Sequence, residues 1–197
     1  MNGSSFRKKI IAIWLGVIFL ITAGVFSAIA SKKAVQNSSA GYQDLILTNE
    51  EYFPALLKCI DEAQNEILIS MFSFKTDEHK NSYPDRILSH LAMAVKRGVK
   101  IIVILETTDN PLDEIDIQNR RTGKLLKEKG VSVFFDSPHK TTHTKLVVVD
   151  QRLIFLGSHN FTQSALKYNN EISVLLDSPD MAKNARDYIL KIIKEAK

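Results

Sequence analysis

The sequence predicts an α/β domain in which helices flank a mostly parallel, mixed β-sheet on both faces. Apolar segments of strand length alternate with segments of helical spacing through the first half of the chain. The strand-length segments are rich in Val, Ile and Leu at consecutive positions, as expected of strands buried on both faces of a parallel sheet. A length of 197 residues with 45% hydrophobic content suits one globular domain with a sizeable core.

The domain is predicted to open with a strand, a helix and a second strand. Residues 44–48 form the first strand. Thr48 and Glu51 then make a capping-box pattern that starts a helix over 49–63. Residues 66–74 are apolar almost throughout, so we expect a buried strand there.

The middle of the chain continues the alternation. A helix is predicted from Pro84, which suits a first helical turn, to the residue before Gly98, which suits a helix end. Residues 100–106 form another buried strand. A weaker helix over 113–129 and a strand over 131–135 follow.

The last third of the chain adds an antiparallel element. We expect a hairpin, a short helix, a strand and a final amphipathic helix at 143–160, 161–167, 171–176 and 179–195. The hairpin is apolar on both sides of a polar break, which predicts a turn over 150–153 and a pairing of Val149 with Ile154. An odd loop length would shift this register by one residue.

The polar residues of the hairpin lie at its open end. Alternation along a strand places His143 and Lys145 on one face, and likewise Ser158 and Asn160. In the expected register these two pairs lie opposite each other, within about 5.5 Å. Lysine, hydroxyl and amide donors suit a phosphate, Gly157 lets backbone approach closely, and a histidine can act as nucleophile or proton carrier.

The spacing of these residues resembles the HKD signature of the phospholipase D superfamily. Six positions carry the likeness: His143, Lys145, Asp150, Gly157, Ser158 and Asn160. The segments "ILISMFSFK", "VKRGVKIIVILE" and "NFTQSALKYNNE" also resemble family stretches, so that the likeness covers roughly 43–178. Thr144 and Lys75 depart from the residues that are commoner in the family at their positions. The resemblance implies a phospholipase D-like sandwich fold.

The resemblance also implies a role for each catalytic residue. His143 attacks phosphorus and forms a phosphohistidine. Lys145 and Asn160 hold the non-bridging oxygens, with Ser158 as a supporting donor. Glu171 orients His143 through a hydrogen bond.

Two further motif residues are expected to be structural. Asp150 is interpreted as a partner at the hairpin turn, and Gly157 as the close-approach glycine. No acidic cluster with metal-ligand spacing accompanies the motif, so the sequence predicts a metal-independent reaction that needs no cofactor.

The chain carries only one such motif, whereas the family's enzymes use two histidines. No second His-x-Lys followed by Gly-Ser occurs. His79, His90 and His139 lack the context and are expected at the surface, and His159 is expected on the opposite face of its strand. We therefore expect a two-fold homodimer that brings two copies of His143 together.

The N-terminal segment is predicted to engage a membrane. Residues 10–30 contain no charged residue and are long enough to cross a bilayer core of about 30 Å. A cleaved signal peptide is the alternative, because residues 28–30 form an A-x-A pattern. The basic residues at 7–9 favour a catalytic domain outside the cytoplasm. The predicted boundaries are an anchor or signal peptide, a polar linker and a phospholipase D-like catalytic domain at 1–30, 31–42 and 43–197.

Overall composition says little about the substrate. The formal charge is only +4, and the basic residues before residue 10 account for most of it, so any basic footprint must be local. The single cysteine, Cys59, lies on the apolar side of a predicted helix and is expected to be a buried, inert thiol.

Two enzymatic functions and one non-enzymatic function remain open. An endonuclease-like phosphodiesterase suits the small size and single motif, and a phospholipase D acting at the membrane suits residues 10–30. A membrane-tethered binder of nucleic acid or lipid is the third. Seven basic residues could follow a phosphate backbone: Lys96, Arg97, Lys100, Arg120, Arg121, Lys124 and Lys140. The loops at 76–83 and 107–122 are expected to set substrate preference.

Overall fold

A computed structural model describes residues 42–76 and 81–196, which form a seven-stranded sheet with helices on both faces. The strands are β1 (Leu45–Thr48), β2 (Glu66–Met71), β3 (Lys100–Leu105), β4 (Ser132–Phe135), β5 (Lys145–Val149), β6 (Leu153–Gly157) and β7 (Ile172–Asp177). Their order across the sheet is β1-β7-β6-β5-β2-β3-β4.

The described residues contain five α-helices, and each predicted helix is present with boundaries shifted by a few residues at most. They are α1 (Tyr52–Glu62), α2 (Tyr83–Lys96), α3 (Glu114–Glu128), α4 (Gln163–Lys167) and α5 (Pro179–Glu195). The predicted capping box at Thr48 and Glu51 is present, although it starts a 3₁₀ turn that leads into α1. Cys59 is buried, as expected.

The mixed sheet and its flanking helices are confirmed, whereas the expectation of a mostly parallel sheet is wrong. Only β2, β3 and β4 run parallel to each other, while β5, β6, β7 and β1 all pair antiparallel. A parallel pair needs a crossover of about a dozen residues or more. The three-residue connection from β5 to β6 is too short for such a crossover, so these two strands pair antiparallel. β7 then pairs antiparallel with β6, and β1 pairs antiparallel with β7.

Two apolar clusters cover the two faces of the sheet. On the first face, side chains of α1, α2, α3 and α4 pack against the sheet in one large cluster. On the second face, α5 packs its apolar side over β2, β3, β5 and β6. Ala182, Ile189 and Ile193 of this helix are buried. The strands β7 and β1 extend beyond α5 on this second face.

The register of the hairpin differs by one residue from the expected register. Val149 pairs with Leu153, not Ile154, so three residues connect the strands. The Arg152 N–H donates to the Val149 carbonyl at 3.0 Å. Asp150 and Gln151 have positive φ angles of 51° and 53°. The turn therefore ends at Arg152, and Leu153 already belongs to β6.

The side chain of Asp150 anchors this turn to the start of β2. Its carboxylate accepts the backbone N–H groups of Gln64, Asn65 and Glu66 at 2.7–2.9 Å. These three donors precede or begin a central strand and would otherwise lack partners. Asp150 therefore ties the hairpin to the core at the end opposite its polar residues.

The predicted anchor or signal peptide at 10–30 and the linker at 31–42 lie outside the described residues, apart from residue 42. Among the helices at 42–76 and 81–196, none combines the length and the apolar character that a membrane crossing requires.

We predict that Asp150→Ala lowers the free energy of unfolding by about 2–3 kcal/mol, because three backbone donors lose a charged acceptor. Urea unfolding measures the change. Gln151→Ala is the matched control, since Gln151 has the same φ but no anchoring contact, and should stay within about 0.5 kcal/mol of the parent. Equal losses in the two variants would contradict the anchoring role.

Candidate active site

The polar end of the hairpin lies at the edge of the sheet where β2, β3 and β4 end. Met71, at the end of β2, pairs with Leu105 at the end of β3 and with Lys145 at the start of β5. The end of β6 and the start of β7 lie at the same edge, because Gly157 pairs with Ser173. We call this the site edge.

His143 is held at the site edge by its neighbours and exposes its ring. The Phe72 N–H donates to the Thr144 carbonyl at 2.9 Å, and the hydroxyls of Thr144 and Ser70 lie 2.5 Å apart. The imidazole of His143 packs on the ring of Phe72, with 4.4 Å between ring centroids. The backbone is thus fixed, while the residue as a whole remains exposed.

Lys145 brings a buried ammonium to the same place. Its side chain is 7% exposed, and Nζ lies 3.4 Å from both ring nitrogens of His143 and 4.8 Å from the Phe72 centroid. Burial lowers the pKa of Lys145, and the charge of Glu171 partly opposes that shift. Nζ also donates to the His143 carbonyl oxygen at 3.0 Å.

Ser158 and Glu171 form a second polar pair. The Ser158 hydroxyl donates to the Glu171 carboxylate and accepts the Ile172 N–H at 3.0 Å. Asn169 also donates to Glu171, at 3.1 Å. Within the described residues, the predicted hydrogen bond between Glu171 and His143 is not among these contacts. Glu171 acts on the cluster through Ser158 and through its charge near Lys145.

Asn160 and His159 point to different surroundings. Asn160 is half-buried, and its buried Oδ1 has no hydrogen-bond partner in the described part of the chain. Oδ1 is an acceptor, and leaving a buried acceptor unpaired costs about 1–3 kcal/mol. Only the NH₂ group of the same amide can donate to a phosphate oxygen. His159 is buried against Tyr52 and contacts Ser173 Oγ at 2.7 Å and the Asn49 carbonyl at 3.0 Å. Burial lowers its pKa.

Gly157 allows β6 and β7 to approach closely beside this cluster. A Cβ at this position would lie 2.2 Å from Ser173 Oγ and 2.5 Å from the Ile172 carbonyl oxygen. These distances exclude any side chain. The close approach brings Ser158 next to the residues that begin β7.

The observed register of β5 with β6 differs by one residue from the expected register, which changes how the polar residues of the hairpin come together. In a register shifted by one, Lys145 no longer lies directly opposite Ser158, nor His143 opposite Asn160. The chain after β6 instead leaves the hairpin and pairs with the segment that follows β2, where Phe74 and Phe161 form a bridge. This second contact carries Asn160 to the site edge.

The remaining histidines and three of the seven basic residues lie elsewhere. His90 contacts Asp61 at 2.6 Å, His139 is exposed, and His79 is outside the described residues. Lys96, Arg97 and Lys100 lie near the start of β3, at the edge opposite the site. No group of three or more His, Cys, Asp and Glu side chains suited to a metal ion occurs within 42–76 and 81–196.

Two functional features were missed by the sequence analysis. Phe72 forms an apolar floor beneath both His143 and Lys145. Glu106 and Asp136 lie buried behind the segment that leads to His143. Their positions directly after two parallel strands were the available signal, because ligand sites of α/β sheets form at those strand ends.

Comparison with known proteins identifies the relatives of this chain. The family model "Cardiolipin synthase, PLD-like domain" matches residues 56–193, well over half of the chain. Cardiolipin synthase B of Escherichia coli K12 is 29% identical over 129 residues, which cover 60% of this chain and 29% of the synthase. The chain therefore matches less than a third of the length of the curated synthases.

Solved structures share the fold along most of their length. Nuc of Salmonella typhimurium, a phospholipase D family member, gives a TM-score of 0.64 at 21% identity, covering 79% of this chain and 97% of Nuc. NucT of Helicobacter pylori gives 0.61 at 16% identity, covering 78% of this chain and 96% of NucT. At these identities the structural likeness shows the fold alone.

We predict that Gly157→Ala lowers turnover of bis(p-nitrophenyl) phosphate at least about tenfold, because its Cβ would push the start of β7 away from the site. Overpacking of this kind costs about 1–3 kcal/mol. Gly98→Ala is the control: φ is +95° and the Cβ meets no atom within 4 Å, so stability should fall without loss of turnover per folded molecule. Unchanged turnover in Gly157→Ala would refute the positional role.

Proposed function

The chain belongs to the phospholipase D superfamily of phosphodiesterases, and we propose that it hydrolyses phosphodiesters through a phosphohistidine at His143 without a metal ion. The observation that carries the proposal is the pairing of His143 with the buried ammonium of Lys145 at 3.4 Å. A buried cation without a tightly bound carboxylate favours binding of an anion.

The chemistry divides into two displacements. A neutral ring nitrogen of His143 attacks phosphorus, and a P–N bond forms while the bond from phosphorus to the leaving oxygen breaks. A second imidazole gives its proton to the leaving oxygen, a step worth about 10²–10⁴-fold. That imidazole then takes a proton from water, the hydroxide attacks phosphorus, and the P–N bond breaks.

The neighbouring side chains stabilise the charge that builds up on phosphorus. Lys145 Nζ and the amide of Asn160 hold the non-bridging oxygens, with the Ser158 hydroxyl as an additional donor. Glu171 accepts from Ser158 and keeps a negative charge near Lys145, which supports the protonated ammonium. In this arrangement Glu171 acts on His143 through Lys145 and Ser158.

We propose that the second imidazole comes from His143 of another copy of this chain. An exposed apolar patch beside the site supports a homodimer. On the face that α5 covers only in part, Leu156 pairs with Val174, which in turn pairs with Ile46. Leu156 is 47% exposed, Ile46 is 67% exposed and Ile172, on the same face, is 58% exposed.

The position of this patch favours a second copy as its occupant. Leu156 lies two residues before Ser158, and Ile172 follows Glu171 directly, so the patch continues into the half-site. A two-fold contact beside the site would bury the patch and complete the active site in one step.

For the substrate, we propose a nucleic-acid phosphodiester. Lys167 ends α4 and Tyr168 follows it, three residues before Glu171. Both are exposed, and Lys167 Nζ lies 5.2 Å from the Tyr168 ring centroid. An exposed aromatic ring next to cations suits base stacking and phosphate contact. Lys140, in the segment before His143, is also exposed.

A phospholipid substrate is the alternative, favoured by the sequence match to cardiolipin synthases and by the apolar segment at 10–30. Residues 10–30 would act as an anchor or be cleaved as a signal peptide, with the domain at 43–197 outside the cytoplasm. A membrane-tethered binder without turnover is the remaining alternative, and retained catalytic side chains argue against it.

We predict that His143→Ala abolishes turnover of bis(p-nitrophenyl) phosphate and that Lys145→Ala and Asn160→Ala lower kcat by about 10²–10³-fold. His139→Ala, an exposed histidine outside the motif, is the control and should retain parental turnover. EDTA should leave activity unchanged. Turnover that survives His143→Ala would refute the nucleophile, and loss of activity in EDTA would refute the metal-free route.

The substrate is identified by assaying plasmid DNA, RNA, phosphatidylcholine and cardiolipin side by side with the parent chain and His143→Ala. Cleavage of nucleic acid alone supports the proposal. Headgroup release from phospholipid alone replaces it with the phospholipase alternative, and binding without turnover replaces it with the binder.

We predict that the double variant Ile46→Glu with Leu156→Glu shifts the chain to a monomer and lowers turnover at least about tenfold, since charges on the patch oppose burial. Sedimentation velocity and turnover are measured on the same samples. Leu112→Glu, exposed on a loop outside the patch, is the matched control and should remain dimeric and active. A fully active monomer would contradict the shared site.

A further inference from the structure

Two acidic side chains are buried directly behind His143, outside the proposed catalytic set. Glu106 follows β3 and Asp136 follows β4, with 7% and 5% of their surfaces exposed. The Asp136 N–H donates to the Leu105 carbonyl at 3.0 Å, which joins the two strand ends. Acidic residues are seldom buried to this extent unless they are paired with a cation or serve a function.

Both carboxyls hold one residue, Thr142. Its N–H donates to Glu106 Oε2 at 2.5 Å, and its hydroxyl and backbone bond to Asp136. Thr142 is itself buried and directly precedes His143. The connection from β4 to the imidazole is therefore fixed by these two acids at one end and by the pairing of Thr144 with Phe72 at the other.

The surroundings of the pair are mainly acidic. The charged groups near the two carboxyls are Asp113, Asp116, Arg120 and Lys140, besides the carboxyls themselves. From α5, Tyr188, Lys191 and Glu195 line the same cavity as Asp136 and Thr142. Arg120 is engaged by Asp116 and Thr107. Burial, with a smaller contribution from the neighbouring acids, raises the pKa of Glu106 to about 7, and burial also raises the pKa of Asp136. The hydrogen bonds from Thr142 partly oppose both shifts.

We propose that Glu106 and Asp136 are positioning residues of the active site, which hold the segment of Thr142 and His143 in place while at least one of them is protonated. The inference rests on the proposed role of His143. A single carboxylate accepts from Thr142 more strongly than a neutral carboxyl does, but two like charges buried together repel each other. Ionisation of both carboxyls therefore drives the two side chains apart and disturbs the position of Thr142 between them. The imidazole then loses its fixed position over Phe72.

The sign of the pH effect follows from the direction of the shift. The folded-state pKa of Glu106, about 7, lies above its unfolded value of about 4.3. The folded chain therefore holds more protons between these values. The contribution of Glu106 to stability is fully present below about pH 4 and is lost as pH rises toward about 7.

The decisive variant is Glu106→Gln, which keeps the acceptor oxygen and the volume but cannot ionise. A group is about nine-tenths ionised one pH unit above its pKa. The ratio of kcat for Glu106→Gln to kcat for the parent should therefore rise about tenfold between pH 6 and pH 8. The ratio of the two KM values should change less than about twofold over the same range. Asp136→Asn should give the same direction of change. Glu106→Ala, which removes the acceptor, should lower kcat at every pH.

Asp61→Asn serves as the control, because Asp61 is on α1 and contacts His90, away from the pair. It should keep the parental pH profile. A ratio of kcat values for Glu106→Gln and parent that stays flat with pH, while melting temperatures change, would overturn the proposal and leave the acids a purely structural role. Should Glu106→Gln fail to fold, a flat ratio for Asp136→Asn would overturn it equally.

This outcome is distinguishable from failure of the proposed function. If His143→Ala is inactive and the ratio is flat, only the positioning role is lost. If His143→Ala retains turnover, the nucleophile is wrong, whatever the pH profile. The difference in melting temperature between parent and Glu106→Gln, followed from pH 4 to pH 8, measures the protonation of Glu106 independently of activity.

Discussion

The antiparallel pairing of β5 with β2 is the constraint on which the rest of the site depends. It joins a parallel half, whose strands all end at one edge, to an antiparallel half whose hairpin opens at that same edge. Because Lys145 pairs with Met71, the residues after β2, β3 and β4 surround the start of β5. Phe72 reaches His143, and Glu106 and Asp136 reach Thr142, because of this junction.

The site combines side chains held in fixed positions with the positive charge of Lys145, which its neighbours neutralise only in part. Lys145 lies on the Phe72 ring and is shielded from water, while Glu171, whose charge acts on Lys145, is itself engaged by Ser158 and Asn169. A phosphate arriving between these groups would gain a charge-assisted contact that water no longer supplies. In the proposed mechanism the same shielding would strengthen stabilisation of the transition state, so binding and catalysis would depend on one arrangement.

Sequence reasoning predicted the elements and the catalytic motif because both depend on local spacing. Apolar runs, capping residues and the His-x-Lys pattern are visible without knowledge of long-range contacts. The turn register was wrong because Asp150 and Gln151 adopt positive φ, a conformation made favourable by contacts with residues over 80 positions away. Glu106 and Asp136 were missed for a related reason: no local pattern indicates that two strand ends meet at Thr142.

The anchor at Asp150 has a consequence for how the hairpin finds its alignment during folding. A slip of one residue between β5 and its neighbours would invert which side chains face each layer of the core, and it would also break three backbone contacts at the turn. Misaligned forms are thus penalised at a place remote from the chemistry. Mutations that alter selectivity at the open end can therefore accumulate without endangering correct strand alignment.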